Sequence, residues 1–117
     1  MVIGLLQLAK LSKKKKGISP LQRSKKLLEE QGYLVAIVER WNPWAKVRQD
    51  LFGILDLLCV GNGVTLGVQV TTLGHKQEHI DKMMAHPNLQ RILDVWEVKL
   101  HSWRKLKDGW KVDIKDF

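Results

Sequence analysis

Cysteine is almost missing from this chain: Cys59 is the one example in 117 residues. No disulfide can form within the chain, so a reducing, cytoplasmic setting is the expectation. Cys59 lies inside the apolar run Leu57-Leu58-Cys59-Val60 and reads as a small hydrophobe. Long hydrophobic runs are missing as well. None approaches the roughly 20 residues that a bilayer-spanning helix needs. The opening stretch MVIGLLQLAKLSKKKK carries its charge after its apolar part, whereas a secretory signal carries it before. There is no internal repeat, and no biased segment beyond the lysine run at 13–16. Acid is scarce at the N-terminus, where residues 1–32 set Lys10, Lys13, Lys14, Lys15, Lys16, Arg23, Lys25 and Lys26 against only Glu29 and Glu30. Residues 33–117 are nearly balanced, so most of the net charge of +8 sits on the N-terminal segment. That asymmetry points to a polyanionic partner, nucleic acid first and a membrane surface second.

The length suits one compact domain with a real core. Residues 1–18 read as a basic arm and residues 19–117 as the folded domain. Within the arm, Ile3, Leu5, Leu6, Leu8 and Leu11 suggest a short amphipathic helix or a crossing strand. Ser19-Pro20 is a helix start, with Ser as N-cap and Pro in the first turn, and Gly32 is its stop. Leu21, Ser24, Leu27 and Leu28 form the inward face. Tyr33 to Arg40 reads as a strand covered on both faces. Trp41-Asn42-Pro43-Trp44 reads as a loop whose tryptophans cover a core edge; stacking on bases beside Lys46 and Arg48 is the alternative. A strand is expected from near Ile54, since Phe52-Gly53 marks a turn or bulge.

The centre of the chain is DLLCVGNGVTLGVQVTT, residues 56–72. Leu57 to Val60 and Val64 to Val70 read as two buried strands, and Gly61-Asn62-Gly63 as a turn suited to positive φ. Asp56 opens the first strand and Gln69 sits near the end of the second, so a hairpin brings them side by side. Packing gives no reason for an acid and an amide there. Both offer hard oxygen atoms, which makes a plausible metal site. A helix follows from GHKQEH, with Ile80, Met83 and Met84 inward; Pro87 breaks it, and a short helical turn covers Leu89 to Leu93. Asp94 to Trp103 alternates as a strand with one wet face. Lys107-Asp108-Gly109 is a turn, and Trp110 to Ile114 completes a C-terminal hairpin.

On these residues the chain resembles the PD-(D/E)xK nuclease superfamily, and within it the small Holliday-junction resolvases and related phage-borne endonucleases. The order of elements over about residues 19–105 is similar to the family's αβββαβ core. Asp56 falls on the family's strand acid, Gln69 on the Glu of its Glu-x-Lys triplet, and Thr71 on the Lys. Val47-Arg48-Gln49-Asp50-Leu51-Phe52-Gly53, together with Gly67 to Thr71, resembles a phage-associated subgroup. The resemblance implies an α/β fold with a central mixed sheet flanked by helices and a C-terminal hairpin. It also implies a Mg²⁺- or Mn²⁺-dependent DNA endonuclease, generally a homodimer, acting on branched or duplex DNA. Asp56, Gln69 and the Val70 carbonyl would hold the ion, and Asp50 or Glu39 would hold a second ion or orient the attacking water. Two departures stand out. Thr71 is no ammonium, so Lys82, Lys76 or Lys46 would have to serve. The family's helix acid falls near Leu21 or Gln22. Phosphate contacts are expected from Lys13, Lys14, Lys15, Lys16, Arg23, Lys25, Lys26, Lys46, Arg48 and Lys76.

His75-Lys76-Gln77-Glu78-His79 matches the H-x-x-E-H zinc pattern. A peptidase would need a third ligand and a cleft that this chain can hardly build, so a solvated helix start is expected; a middle reading puts His75 or Lys76 near the scissile phosphate. The alternatives to a nuclease are a DNA-binding module that has lost catalysis and a basic protein bound to RNA or a membrane surface.

Overall fold

Ser19 and Pro20 start the first helix as their chemistry dictates. In the computed structural model, which describes residues 17–117, the Ser19 hydroxyl accepts the Gln22 N–H at 3.2 Å, and Pro20 opens α1 (Pro20–Glu30). The helix closes in a Schellman motif, the Tyr33 N–H donating to the Leu28 carbonyl and the Gly32 N–H to that of Glu29. The apolar patterning of residues 1–11 and the lysine run lie outside the described residues.

Beyond α1 come β1 (Leu34–Ile37), β2 (Arg40–Asn42), β3 (Val47–Gln49), β4 (Leu57–Gly61) and β5 (Val64–Thr72). A 3₁₀ turn (Leu73–His75) leads into α2 (Lys76–Ala85) and α3 (Leu89–Leu93), and β6 (Glu97–Leu106) and β7 (Gly109–Asp116) form the C-terminal hairpin. The main sheet has the order β1-β4-β5-β6-β7. Only β5 and β6 run parallel, across the crossover made by α2 and α3. The protein is thus an α/β domain with a mixed five-stranded sheet, as the order of elements in the sequence implied.

Helices cover both faces. Leu28 of α1 packs with Val35, Leu57, Cys59, Leu66 and Val68, and Cys59 is the buried small hydrophobe expected. On the other face Met83, Leu89 and Ile92 pack with Val98 and Leu100 and with Ile54 and Leu55 from the segment before β4. Among the sheet strands, β5 gives Leu66 and Val68 to the first cluster and β6 gives Val98 and Leu100 to the second. Gly67 is needed where Leu55 crosses: a Cβ there would come within 2.6 Å of the Leu55 Cδ1. The β4–β5 turn is tighter than the three residues expected. Asn62 and Gly63, at φ 53° and 78°, make it alone, in the two-residue geometry that matches strand twist.

Three expectations need correction. Tyr33 to Arg40 is not one strand covered on both sides: β1 is a sheet edge paired only with β4, and Leu34 is 77% exposed. The Trp41 region is not a loop over the core. It is a separate two-stranded ribbon, β2–β3, with Trp41 54% and Trp44 94% exposed. The wet face of β6 closes halfway, because α1 crosses it. His101 is buried there beside the Ser24 hydroxyl, 2.9 Å from its Nδ1, and the Trp103 indole N–H donates to the same oxygen at 2.8 Å. Burial, helped by the Lys99 charge, pushes the His101 pKa down to about 4.

Candidate metal centre

The site forms where β5 outruns β4. The last ladder pair is Leu57 with Val68, and the Asp56 N–H still reaches the Val68 carbonyl at 2.9 Å. β5 continues to Thr72, so the Val70 N–H on that edge has no strand to donate to. The Asp56 carboxylate takes it, Oδ2 accepting at 2.8 Å. The Val70 carbonyl leaves the strand on the same side as its N–H. The Asp56 carbonyl in turn accepts the Val38 N–H at 2.8 Å, which fixes the chain one residue before Glu39. Asp50 arrives from the opposite direction, immediately after β3. It is followed by the turn Leu51 to Leu55, in which Phe52 has φ 57° and Gly53 φ 78°. One carboxylate oxygen from each of Glu39, Asp50 and Asp56 lies within 4.8 Å of the others.

Gln69 locks this arrangement. Its side-chain N–H donates to Asp50 Oδ2 at 3.1 Å and to the Ile54 carbonyl. The amide therefore turns its nitrogen to the acids, where the sequence suggested an oxygen ligand. Gln69 thus belongs to the cluster as the residue that positions Asp50.

Asp56 is 5% exposed. Its pKa is pushed up to about 9, first by burial, then by a hydrogen bond shared with Asp50; the Val70 N–H works against this, and the charges of Asp50 and Glu39 add to it. A proton is thus held in the cluster at neutral pH when no cation is there. Arg48 is the nearest side-chain cation among the described ion pairs, its Nη1 3.5 Å from Glu39 Oε1. Glu39, Arg48, Asp56, Thr71 and His75 line a cleft of about 620 Å³ that also takes in Gln22 of α1. On the other side, Asp50 and Gln69 line a hollow of about 450 Å³ with His79, Lys82 and His86. Three carboxylates are a hard donor set, suited to Mg²⁺ or Mn²⁺ rather than to softer metals.

The structure brings Asp56, Asp50, Glu39, Gln69 and Val70 to one place and sets Thr71, 8% exposed, in the cleft wall. Lys82 faces the second hollow, with its ammonium 3.8 Å from Glu78. Lys76 turns to Asp113 of β7 at 4.0 Å. Of the expected phosphate contacts, Arg48 lies in the cleft, while Lys46 is exposed in the ribbon turn and Lys26 on α1. Lys25 pairs with Glu29 at 2.8 Å, and Arg23 lies 4.4 Å over the Trp110 ring. Lys13 to Lys16 lie outside the described residues. In the H-x-x-E-H stretch the His79 ring bonds to the His75 carbonyl, as a solvated helix start would, and His75 itself reaches the cleft. No local signal marks the clamp on Asp50 or the Ser24–His101–Trp103 network; both need contacts between residues far apart in the chain.

No protein-family model, curated protein or solved structure matches the chain. No helix among the described residues is long and apolar enough to cross a membrane.

Proposed function

We propose that the protein is a Mg²⁺- or Mn²⁺-dependent DNA endonuclease of the PD-(D/E)xK type. The observation that carries this reading is the convergence of Glu39, Asp50 and Asp56 at the open end of the β4–β5 pair. Acids are seldom gathered in this way for stability, since burying them together without a cation costs free energy. A bound divalent ion would polarise a phosphoryl oxygen and make hydroxide available from water at neutral pH.

The chain's own groups would do the rest. Asp56 and Glu39 would hold the ion from the cleft side, with the Val70 carbonyl beside them. Asp50, steered by the Gln69 amide, would complete the set or orient the attacking water. Arg48 would take the part the family gives to its lysine, meeting the negative charge that develops on the phosphate with a cation that Thr71 cannot supply. The exposed cations and the basic arm would hold the DNA backbone. A homodimer would cut both strands, and the exposed apolar pair Leu34 and Val60, opposite each other on β1 and β4, offers a surface for a second copy.

The second reading, a DNA-binding module without catalysis, draws on Thr71 at the lysine position and on Leu21 and Gln22, neither of them acidic, about the helix-acid position. One experiment separates them. Supercoiled plasmid, single-stranded DNA and a four-way junction are incubated with the protein and Mg²⁺ or Mn²⁺, alongside Asp56→Ala and Gln69→Ala. Metal-dependent cutting, abolished by chelation and by Asp56→Ala, is expected. Salt-sensitive binding with no cutting of any substrate selects the second reading, and absence of salt-sensitive binding removes both.

A further inference from the structure

The β2–β3 ribbon is unusual in what it exposes. Trp44 is 94% exposed at the turn and Trp41 54% on the strand, in a protein whose Trp103 is buried. An indole left in water forgoes a large apolar burial, and tryptophan is among the residues most often covered. The ribbon is held ready to present them. The Asn42 side-chain oxygen accepts the Trp44 N–H at 2.9 Å and the Ala45 N–H at 3.1 Å, which fixes the turn. Residues 40–49 contain Arg40, Lys46 and Arg48 and no acid. A wholly basic, aromatic strip fits a polyanion with flat apolar faces.

Its placement is as telling as its composition. Glu39 immediately precedes the ribbon and Asp50 immediately follows it, so both ends are rooted in the acid cluster. Trp41 and Arg48 lie opposite each other in the ladder and share a face, and Arg48 lines the acid cleft. At about 3.3 Å per strand residue, Trp41 stands about 7 Å along the ribbon from Glu39. Nucleotides in a stacked strand are about 3.4 Å apart, so that span is about two nucleotides.

We infer that the β2–β3 ribbon is a base-stacking platform, on which Trp41 and Trp44 hold unpaired bases one or a few nucleotides from the phosphate at the acid cluster. Within a duplex both faces of each base are already covered by its neighbours, so an indole can stack only where bases are unpaired or a helix ends. The preferred substrate is therefore DNA with a single-stranded stretch next to the scissile phosphate, such as a fork, a flap or an opened junction arm. This deepens the nuclease reading and takes the identity of the polymer from it, but the stacking itself requires no metal.

The test is binding by the full chain in chelator, by anisotropy, to a labelled oligothymidylate and, by competition at one salt concentration, to a relaxed, covalently closed circular duplex, which has no helix ends. Trp41→Ala and Trp44→Ala are each expected to weaken oligothymidylate binding about tenfold while leaving duplex binding unchanged. Trp44→Phe, which keeps a ring, is expected to retain most of the affinity, and oligothymidylate to quench indole fluorescence in the wild type more than in Trp44→Ala. Equal losses on both probes, or no loss on either, overturn the platform. So does a drop in oligomeric state in Trp44→Ala with oligothymidylate binding intact, which would mean that a second copy covers the ribbon. Tryptophan-dependent binding in a wild type that cuts nothing leaves the platform standing and overturns the nuclease. Tryptophan variants that bind and cut like the wild type do the reverse.

Discussion

Changing Asp56 to asparagine is expected to stabilise the metal-free protein at neutral pH while destroying its response to metal. The carboxamide keeps the geometry of the protonated acid: its oxygen can accept the Val70 N–H, and its NH₂ can donate to Asp50. It carries no charge at any pH. The wild-type side chain does titrate, with a pKa of about 9 in the folded state against an ordinary 3.8. Between those values the native state holds a proton that the unfolded state has released, so native stability falls as pH rises. Below 3.8 both states are protonated and there is no loss; above 9 the loss is complete. One proton is worth up to about 1.4 kcal/mol per pH unit, so raising the pH from 6 to 8 should cost the wild type about 3 kcal/mol. For a domain of this size that is a fall in Tm on the order of 10 °C.

The measurement is a pair of melting curves at each pH, wild type and Asp56→Asn, in chelator and then with excess Mn²⁺. Subtracting the two proteins removes the titrating groups that do not interact with Asp56, leaving Asp56 and its coupling to Asp50 and Glu39. The difference in Tm should widen with pH in chelator. Mn²⁺ should narrow it by lifting the wild type, because the ion takes the place of the proton, and saturation at about 100 times Kd is worth about 2.7 kcal/mol. Asp56→Asn should move little. Parallel pH profiles in chelator would refute the buried-acid account, and an equal lift of both proteins by Mn²⁺ would refute the metal centre.

His101 should give the opposite pH dependence, best read in the Asp56→Asn background. Its folded pKa of about 4 lies below the ordinary 6.5, so the stability it confers is intact above 6.5 and is lost as pH falls towards 4, by about 3 kcal/mol in all; urea melts at the two ends should show this slope, and His101→Gln should flatten it. Gln69→Glu places a fourth acid against Asp50 and removes the N–H that Asp50 and the Ile54 carbonyl accept, so the metal-free protein should lose about 1–3 kcal/mol, measured by denaturant titration, and recover part of it in Mn²⁺. Leu57→Ala, at a fully buried position beneath α1, should cost about 2–5 kcal/mol in the same titration with no change in metal response in the surviving native fraction.

The architecture was legible because its signals are local. Ser19-Pro20 and Gly32 bound α1, Asn62-Gly63 turns β4 into β5, and Pro87 separates α2 from α3. What the sequence hid depends on which strand lies at an edge. Leu34, Ala36 and Ile37 read as a covered strand, yet β1 has a neighbour on one side only, and apolar composition cannot distinguish an edge from an interior strand. Residue type puts the tryptophans at a core edge, and only the tertiary placement of the ribbon leaves them in water. At the site, Asp56 was found from its place at the head of a buried strand. Glu39 and Asp50 are visible as acids near it in the chain, but nothing local says that a ribbon begins at one and ends at the other and so brings them back together.

That geometry bears on the choice between a working nuclease and a binding module. Asp56 has a structural task, since it accepts the Val70 N–H where the ladder ends. Asparagine would perform that task without the penalty of a buried charge. Glu39 and Asp50 have no comparable duty towards the sheet: Glu39 meets the exposed Arg48, and Asp50 accepts from Gln69, whose N–H already reaches the Ile54 carbonyl. Each raises the cost of ionising Asp56. A module that only gripped DNA would be more stable, and would attract phosphate more strongly, with amides at those positions. Three acids that oppose both folding and anion binding are accounted for when a cation joins them, which is the state the nuclease reading requires.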